Sequence, residues 1–99
     1  MSSLSNVAIH DVVSFDMKQM IITALNTVYK NDPRNVVKQG VASALGRIPT
    51  DGVPTGMYRI IINDAEYDCI LSGCENVLSV GAGGVDTDSI KAVRDFLAK

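Results

Sequence analysis

The chain has 99 residues, 46% hydrophobic and 20% charged, with a net charge of −2. That is the length of one domain and the composition of a folded one, which sets aside disordered and fibrous classes. A slightly acidic domain has no general attraction to a phosphate backbone, so nucleic acid is not an expected partner. Lys30, Arg34 and Lys38 form only a loose basic group and read as a solvated helix face. No apolar run approaches the roughly 18–20 residues that span a bilayer. MSSLSNVAIHDVV lacks the basic start and long apolar stretch of a signal peptide. The expectation is a cytoplasmic protein without membrane association, whose Cys69 and Cys74 stay reduced and buried.

In chain order, residues 1–6 read as a flexible N-terminus and residues 7–99 as a single α+β domain. NVAIHDVVSF reads as a short strand or extended entry. Met17, Met20, Ile21, Ala24, Leu25 and Val28 then recur at helical spacing and predict a helix over about 16–31. Asp16 is the expected N-cap, with Gln19 as capping-box partner and Phe15 and Met20 as a staple. Asp32-Pro33 predicts the start of a second helix, with Val37, Gly40, Val41, Ala44 and Leu45 on one face and Gly46 as a left-handed C-terminal residue. Gly40 in mid-helix costs about 1 kcal/mol against Ala. A close helix–helix approach at Gly40 and Ala44 would offset it.

GRIPTDGVPTG, residues 46–56, is a loop. MYRIIIN and EYDCILS read as a hairpin about an Asn63–Glu66 turn, and NVLSV as a third strand. A last helix begins near Asp86 or Thr87, with Ile90, Val93, Phe96 and Leu97 on its apolar side. The expected fold is thus α+β: two N-terminal helices, a small antiparallel sheet of hairpin plus third strand, and a C-terminal helix.

Residues 76–93, NVLSVGAGGVDTDSIKAV, raise the question of a phosphate loop. Ser79, Gly81, Gly83, Gly84 and Thr87 are the candidate ligand-binding residues of a small-ligand or nucleotide module. The surrounding βαβ unit of a dinucleotide fingerprint is missing, and Asp86 and Asp88 would repel a phosphate while satisfying the helix dipole themselves. Cys69, Cys74 and His10 supply too few ligands, too loosely spaced, for a structural zinc site, and His10 is far along the chain from either thiol it would activate. VVKQGVASALGRI resembles the first helix and turn of a winged-helix DNA binder, but a recognition helix should follow, and PTDGVPTGM does instead. Asp64 with Glu66 and Asp86 with Asp88 suit turns and caps better than acid–base pairs.

No catalytic residue, metal or cofactor is therefore expected. The positive signal is an excess of apolar side chains on both faces of residues 57–72. It predicts a non-enzymatic, self-associating protein, most simply a dimer, in a structural, adaptor or inhibitor role of the kind small phage and bacterial proteins fill. Met57, Tyr58, Ile60, Ile61, Ile62 and Ile70 are its expected interface. If Tyr58, Ile60 and Ile62 turn inward, Met57, Ile61 and Ile70 should turn out, and the reverse holds if the register flips; in a monomer, residues 7–15 would be the only segment left to cover the second face.

Overall fold

The structure, a computed structural model, describes residues 7–81 and 87–98. Strand β1 (Val7–Ser14) runs directly into helix α1 (Phe15–Asn31), and one residue makes the corner. Ser14 keeps an extended backbone, and its Oγ accepts the Met17 N–H at 3.1 Å, which satisfies one of the helix's orphan donors. Ser14 therefore replaces the expected Asp16 as N-cap, and Asp16 sits in the first turn at the positive end of the dipole. Ile21, Ala24, Leu25 and Val28 are buried as their spacing predicts. Met20 is exposed, and Lys18 is buried instead.

The Asp32 N–H closes α1 on the Val28 carbonyl at 2.9 Å. Helix α2 (Asn35–Leu45) starts beyond Pro33, which stands ahead of the helix rather than in its first position. The Asp32 carboxylate still serves the junction, taking the Arg34 N–H at 3.0 Å. Gly46 after α2 is right-handed, at φ −64°, not left-handed as expected.

The larger correction follows strand β2 (Met57–Asn63). Residues Asp64–Val80, expected to give the returning hairpin strand and a third strand, form one 17-residue helix, α3. A capping box starts it: Asn63 Oδ1 accepts the Glu66 N–H at 2.8 Å, and Glu66 Oε1 accepts the Asn63 N–H at 3.0 Å. The positions α3 buries are Glu66, Ile70, Gly73, Cys74 and Val77, a helical period. Alternation of Tyr67, Cys69 and Leu71 suggested a strand, yet all three are only half-buried. Helix α4 (Thr87–Leu97) buries Ile90, Val93, Phe96 and Leu97, as predicted.

With the hairpin gone, β2 pairs with β1. The two strands are antiparallel, with Ile9 opposite Ile62, His10 opposite Ile61, Asp11 opposite Ile60, Val12 opposite Arg59, Val13 opposite Tyr58 and Ser14 opposite Met57. The element order is β1-α1-α2-β2-α3-α4, so the class is α+β, but a strand precedes the first two helices. Opposed residues share a face of an antiparallel pair. Val13, Ile60 and Ile62 are buried on the inner face, and α1 and α3 touch both strands.

Two glycines let α3 settle against α1 and α2. A Cβ at Gly40 would lie 2.5 Å from both Cβ and Sγ of Cys69, so the close approach expected at Gly40 is to α3. A Cβ at Gly73 would overlap Val28 Cγ1 and lie 3.1 Å from Val37 Cγ1.

Candidate functional site

The inner face of the sheet is covered, whereas the outer face is open. His10, Val12, Ser14, Met57, Arg59 and Ile61 project from it, and all are exposed. Met57 is 64% accessible, Val12 49% and Ile61 40%. Arg59 stands opposite Val12 and between Met57 and Ile61, so the three apolar side chains are diagonal neighbours around it, with His10 opposite Ile61.

The remaining polar groups of the interior are engaged in holding the fold. Lys18 Nζ donates to the Pro49 carbonyl at 2.8 Å and the Asp51 carbonyl at 3.0 Å, and lies over the rings of Phe15 (5.0 Å) and Tyr58 (4.8 Å). Tyr58 Oη accepts the Val53 N–H at 2.7 Å and donates to the Val53 carbonyl at 3.0 Å. Together they pin the 46–56 loop beside β2. Glu66 is buried and bonded by Arg47, by Ser43 Oγ at 2.5 Å and by the Asn63 N–H. Burial pushes its carboxyl up, but these donors outweigh that and hold it below the usual range. Asp32, also buried, is held low first by its paired bonds from Arg34, against the opposing effect of burial. Among the described residues no buried side-chain N or O lacks a partner.

Burial pushes the Cys74 thiol up to about 12, so it is no thiolate near neutral pH. Cys69 and Cys74, both expected buried, lie on α3 rather than in and after a returning strand; Cys74 is buried, whereas Cys69 is half-buried and its Sγ donates to the Val36 carbonyl at 3.5 Å. Among the described residues, no three His, Cys, Asp or Glu side chains are placed to hold a metal ion.

The expected interface residues separate. Met57 and Ile61 are on the open face, and Tyr58 is half-buried against the 46–56 loop. Ile60, Ile62 and Ile70 lie in the core, at 0%, 1% and 0% accessibility. Ile70 was expected outside, opposite Ile60 and Ile62; as a residue of α3 it packs under the sheet instead. Residues 7–14 do not cover the second face but extend it. Val12 joins the patch only through that pairing, which no local signal announces.

Of the proposed phosphate loop, Ser79 and Gly81 belong to the end of α3, Thr87 opens α4, and Gly83 and Gly84 lie outside the described residues, as do residues 1–6. Gly81 is left-handed, φ 63°, and its N–H bonds the Val77 carbonyl at 3.1 Å. The strand required ahead of phosphate-binding glycines is helix here, and it presents the negative end of its dipole. After α2, the next element is β2, with no recognition helix between.

A second concavity lies where β1 faces α4. Asp11, Val12, Val13 and Ser14 line it consecutively, opposite Phe96 and Asp95, in an open groove of about 450 Å³. Side chains of successive strand residues alternate faces, so four in a row meet only along the strand's edge.

Comparison with protein families, with curated proteins and with solved structures gives no significant match. Among the described residues no helix is long and apolar enough to cross a membrane.

Proposed function

We propose that this is a non-enzymatic protein that works by self-association and protein–protein contact, in a structural, adaptor or inhibitor role, and that the outer face of the sheet is its principal contact surface. One observation carries the reading: the helices cover one face of the sheet and leave Met57, Val12 and Ile61 exposed on the other, as diagonal neighbours around Arg59. Complete burial of such a side chain is worth roughly 1.5–3 kcal/mol. These three retain about half their exposure, so a symmetric dimer gathers about 6 kcal/mol from six of them. Association costs at least about 4 kcal/mol, so these side chains alone leave at most about 2 kcal/mol, and the roughly 8 kcal/mol of a micromolar dimer needs the polar and main-chain contacts of the same face as well. Ile60, Ile62 and Ile70 support the surface from behind.

Light scattering across micromolar concentrations tests this. Wild type is expected to show dimer mass at high micromolar concentration. Ile61→Lys and Met57→Lys are expected to give monomers with unchanged melting temperature, because both side chains face out. A clean wild-type monomer at high micromolar concentration ends the self-association reading.

A further inference from the structure

We propose that the outer face of the sheet receives an acidic segment of another protein, with a carboxylate seated on Arg59 and apolar side chains around it. The proposal rests on the reading of this face as the contact surface and names the chemistry of its partner.

Each rung of the outer face sets one apolar residue against one polar residue: Ile61 against His10, Val12 against Arg59 and Met57 against Ser14. Beyond a bulge, Val7, 43% accessible, stands opposite Asn63 and continues the alternation. The Ile61 carbonyl accepts Arg47 Nη2 at 2.9 Å, and the Val12 N–H is taken by Asp11 Oδ1 at 3.0 Å, so neither group serves the ladder. The rungs of Val12 with Arg59 and of His10 with Ile61 are therefore the non-hydrogen-bonded pairs, whose Cα atoms lie only about 4.5 Å apart. Side chains stand closest there. Arg59 is thus flanked by Val12 across the ladder and by Met57 and Ile61 along its own strand.

Arg59 is the uncompensated group of this face. Of the four arginines, Arg34, Arg47 and Arg94 each pair with a carboxylate. Exposed Arg59 has no hydrogen-bond or ion-pair partner among the described residues. The chain has 11 Asp and Glu residues, and none of them stands in these rungs of the outer face. A second copy would therefore bring another Arg59 and no carboxylate, and a guanidinium buried without a partner is costly. An acidic partner supplies the missing charge, while its apolar side chains cover Val12, Met57 and Ile61. Interfaces favour Arg and Met over Lys, Asp and Glu, and this face has the first two and none of the others. One guanidinium is too few for a nucleic acid, whose binders neutralise many phosphates.

A phage-displayed library of random dodecapeptides, panned on the full chain, supplies the probe. Selected peptides are expected to carry Asp or Glu between apolar residues. Chemical-shift changes on titration should centre on residues 10, 12, 57, 59 and 61. Arg59→Gln should weaken peptide binding about tenfold at an unchanged melting temperature. Arg59→Glu should refuse those peptides and bind the same sequences with Lys in place of the acid, a rescue that misfolding could not produce. Self-association responds with the opposite sign: taking like charges out of a homodimer leaves it as tight as before or tightens it. Light scattering and peptide titration of the same Arg59→Gln protein therefore separate the two. No enrichment, basic peptides, shifts centred on residues 92–96, or unchanged peptide affinity of Arg59→Gln would each overturn the proposal. So would shifts at the outer face with phosphatidylserine vesicles but with no peptide. A wild-type dimer that binds no acidic peptide would overturn it and leave self-association standing. A wild-type monomer that binds such peptides through Arg59 would end self-association and leave the proposal standing.

Discussion

Replacing Gly73 by alanine sets two physical effects of opposite sign against each other. Helix propensity alone favours Ala over Gly by about 1 kcal/mol at an interior position. Packing opposes it, because the new methyl would overlap Val28 Cγ1 and press on Val37 Cγ1 at 3.1 Å. Val28 is fully buried and β-branched, so it cannot swing aside, and α1 and α3 must separate. Overpacking of this kind costs about 1–3 kcal/mol, and so tight a contact belongs in the upper half of that range. The net expectation is a loss of about 1–2 kcal/mol, or a melting temperature lower by about 5–15 °C for a domain of this size. Circular dichroism melts read it directly. Gly46→Ala is the control: its methyl would meet only the Ala42 and Ser43 carbonyls, at 3.5 and 3.6 Å, and its backbone is right-handed, so stability should hold or rise slightly. Adding Val28→Ala to Gly73→Ala should recover about 1 kcal/mol relative to the sum of the two single changes. A Gly73→Ala protein that melts at or above wild type would refute the packing of α3 against α1, and with it the reason β2 lacks a hairpin partner.

Acid should destabilise the fold through Asp32 and Glu66. Both carboxyls are held below their ordinary values of 3.8 and 4.5, so their contribution is complete above about pH 4.5 and is lost as pH falls through the lowered values. Urea midpoints at pH 7 and pH 3 should differ, and Glu66→Gln should shrink that difference while costing about 2 kcal/mol at pH 7, a figure reduced because the Arg47 side chain is 42% exposed. Equal midpoints at the two pH values would exclude the mechanism. In thiol titration of the folded protein, half-buried Cys69 should react slowly and buried Cys74 only on unfolding; prompt labelling of Cys74 would show that α3 does not face the core as described.

The helical stripes of α1, α2 and α4 were legible in the residues because each repeats with one period over about two turns or more, and a period needs no knowledge of what lies opposite. The extended stretch MYRIIIN and the loop before it were legible for the same local reason. Within α1 the stripe was misplaced by one position. Lys18 reads as polar until Pro49, Asp51, Phe15 and Tyr58 are seen to surround it.

Residues 64–80 carried two periods at once. Tyr67, Cys69 and Leu71 alternate, whereas Ile70, Cys74 and Val77 recur helically, and Glu66 hid the first buried position behind a charge. The Asn63-x-x-Glu66 capping box was the available signal, and reading it as a turn placed an entire helix in the sheet. The candidate surfaces depended on that error's correction. Local sequence determined that residues 57–63 are extended, with Met57 and Ile61 on one side and Ile60 and Ile62 on the other. Tertiary structure alone decided which side faces water, because that depends on α1 and α3 reaching the sheet from one direction. It also decided that a strand some fifty residues earlier in the chain supplies the partner, which puts Val12 opposite Arg59 and diagonal to Ile61 and turns the β1 edge towards α4. Backbone pairing is sequence-tolerant, so the residues of β1 specify that they are extended but not which strand they meet; the burial of Val13, Ile60 and Ile62 on one shared face makes that choice.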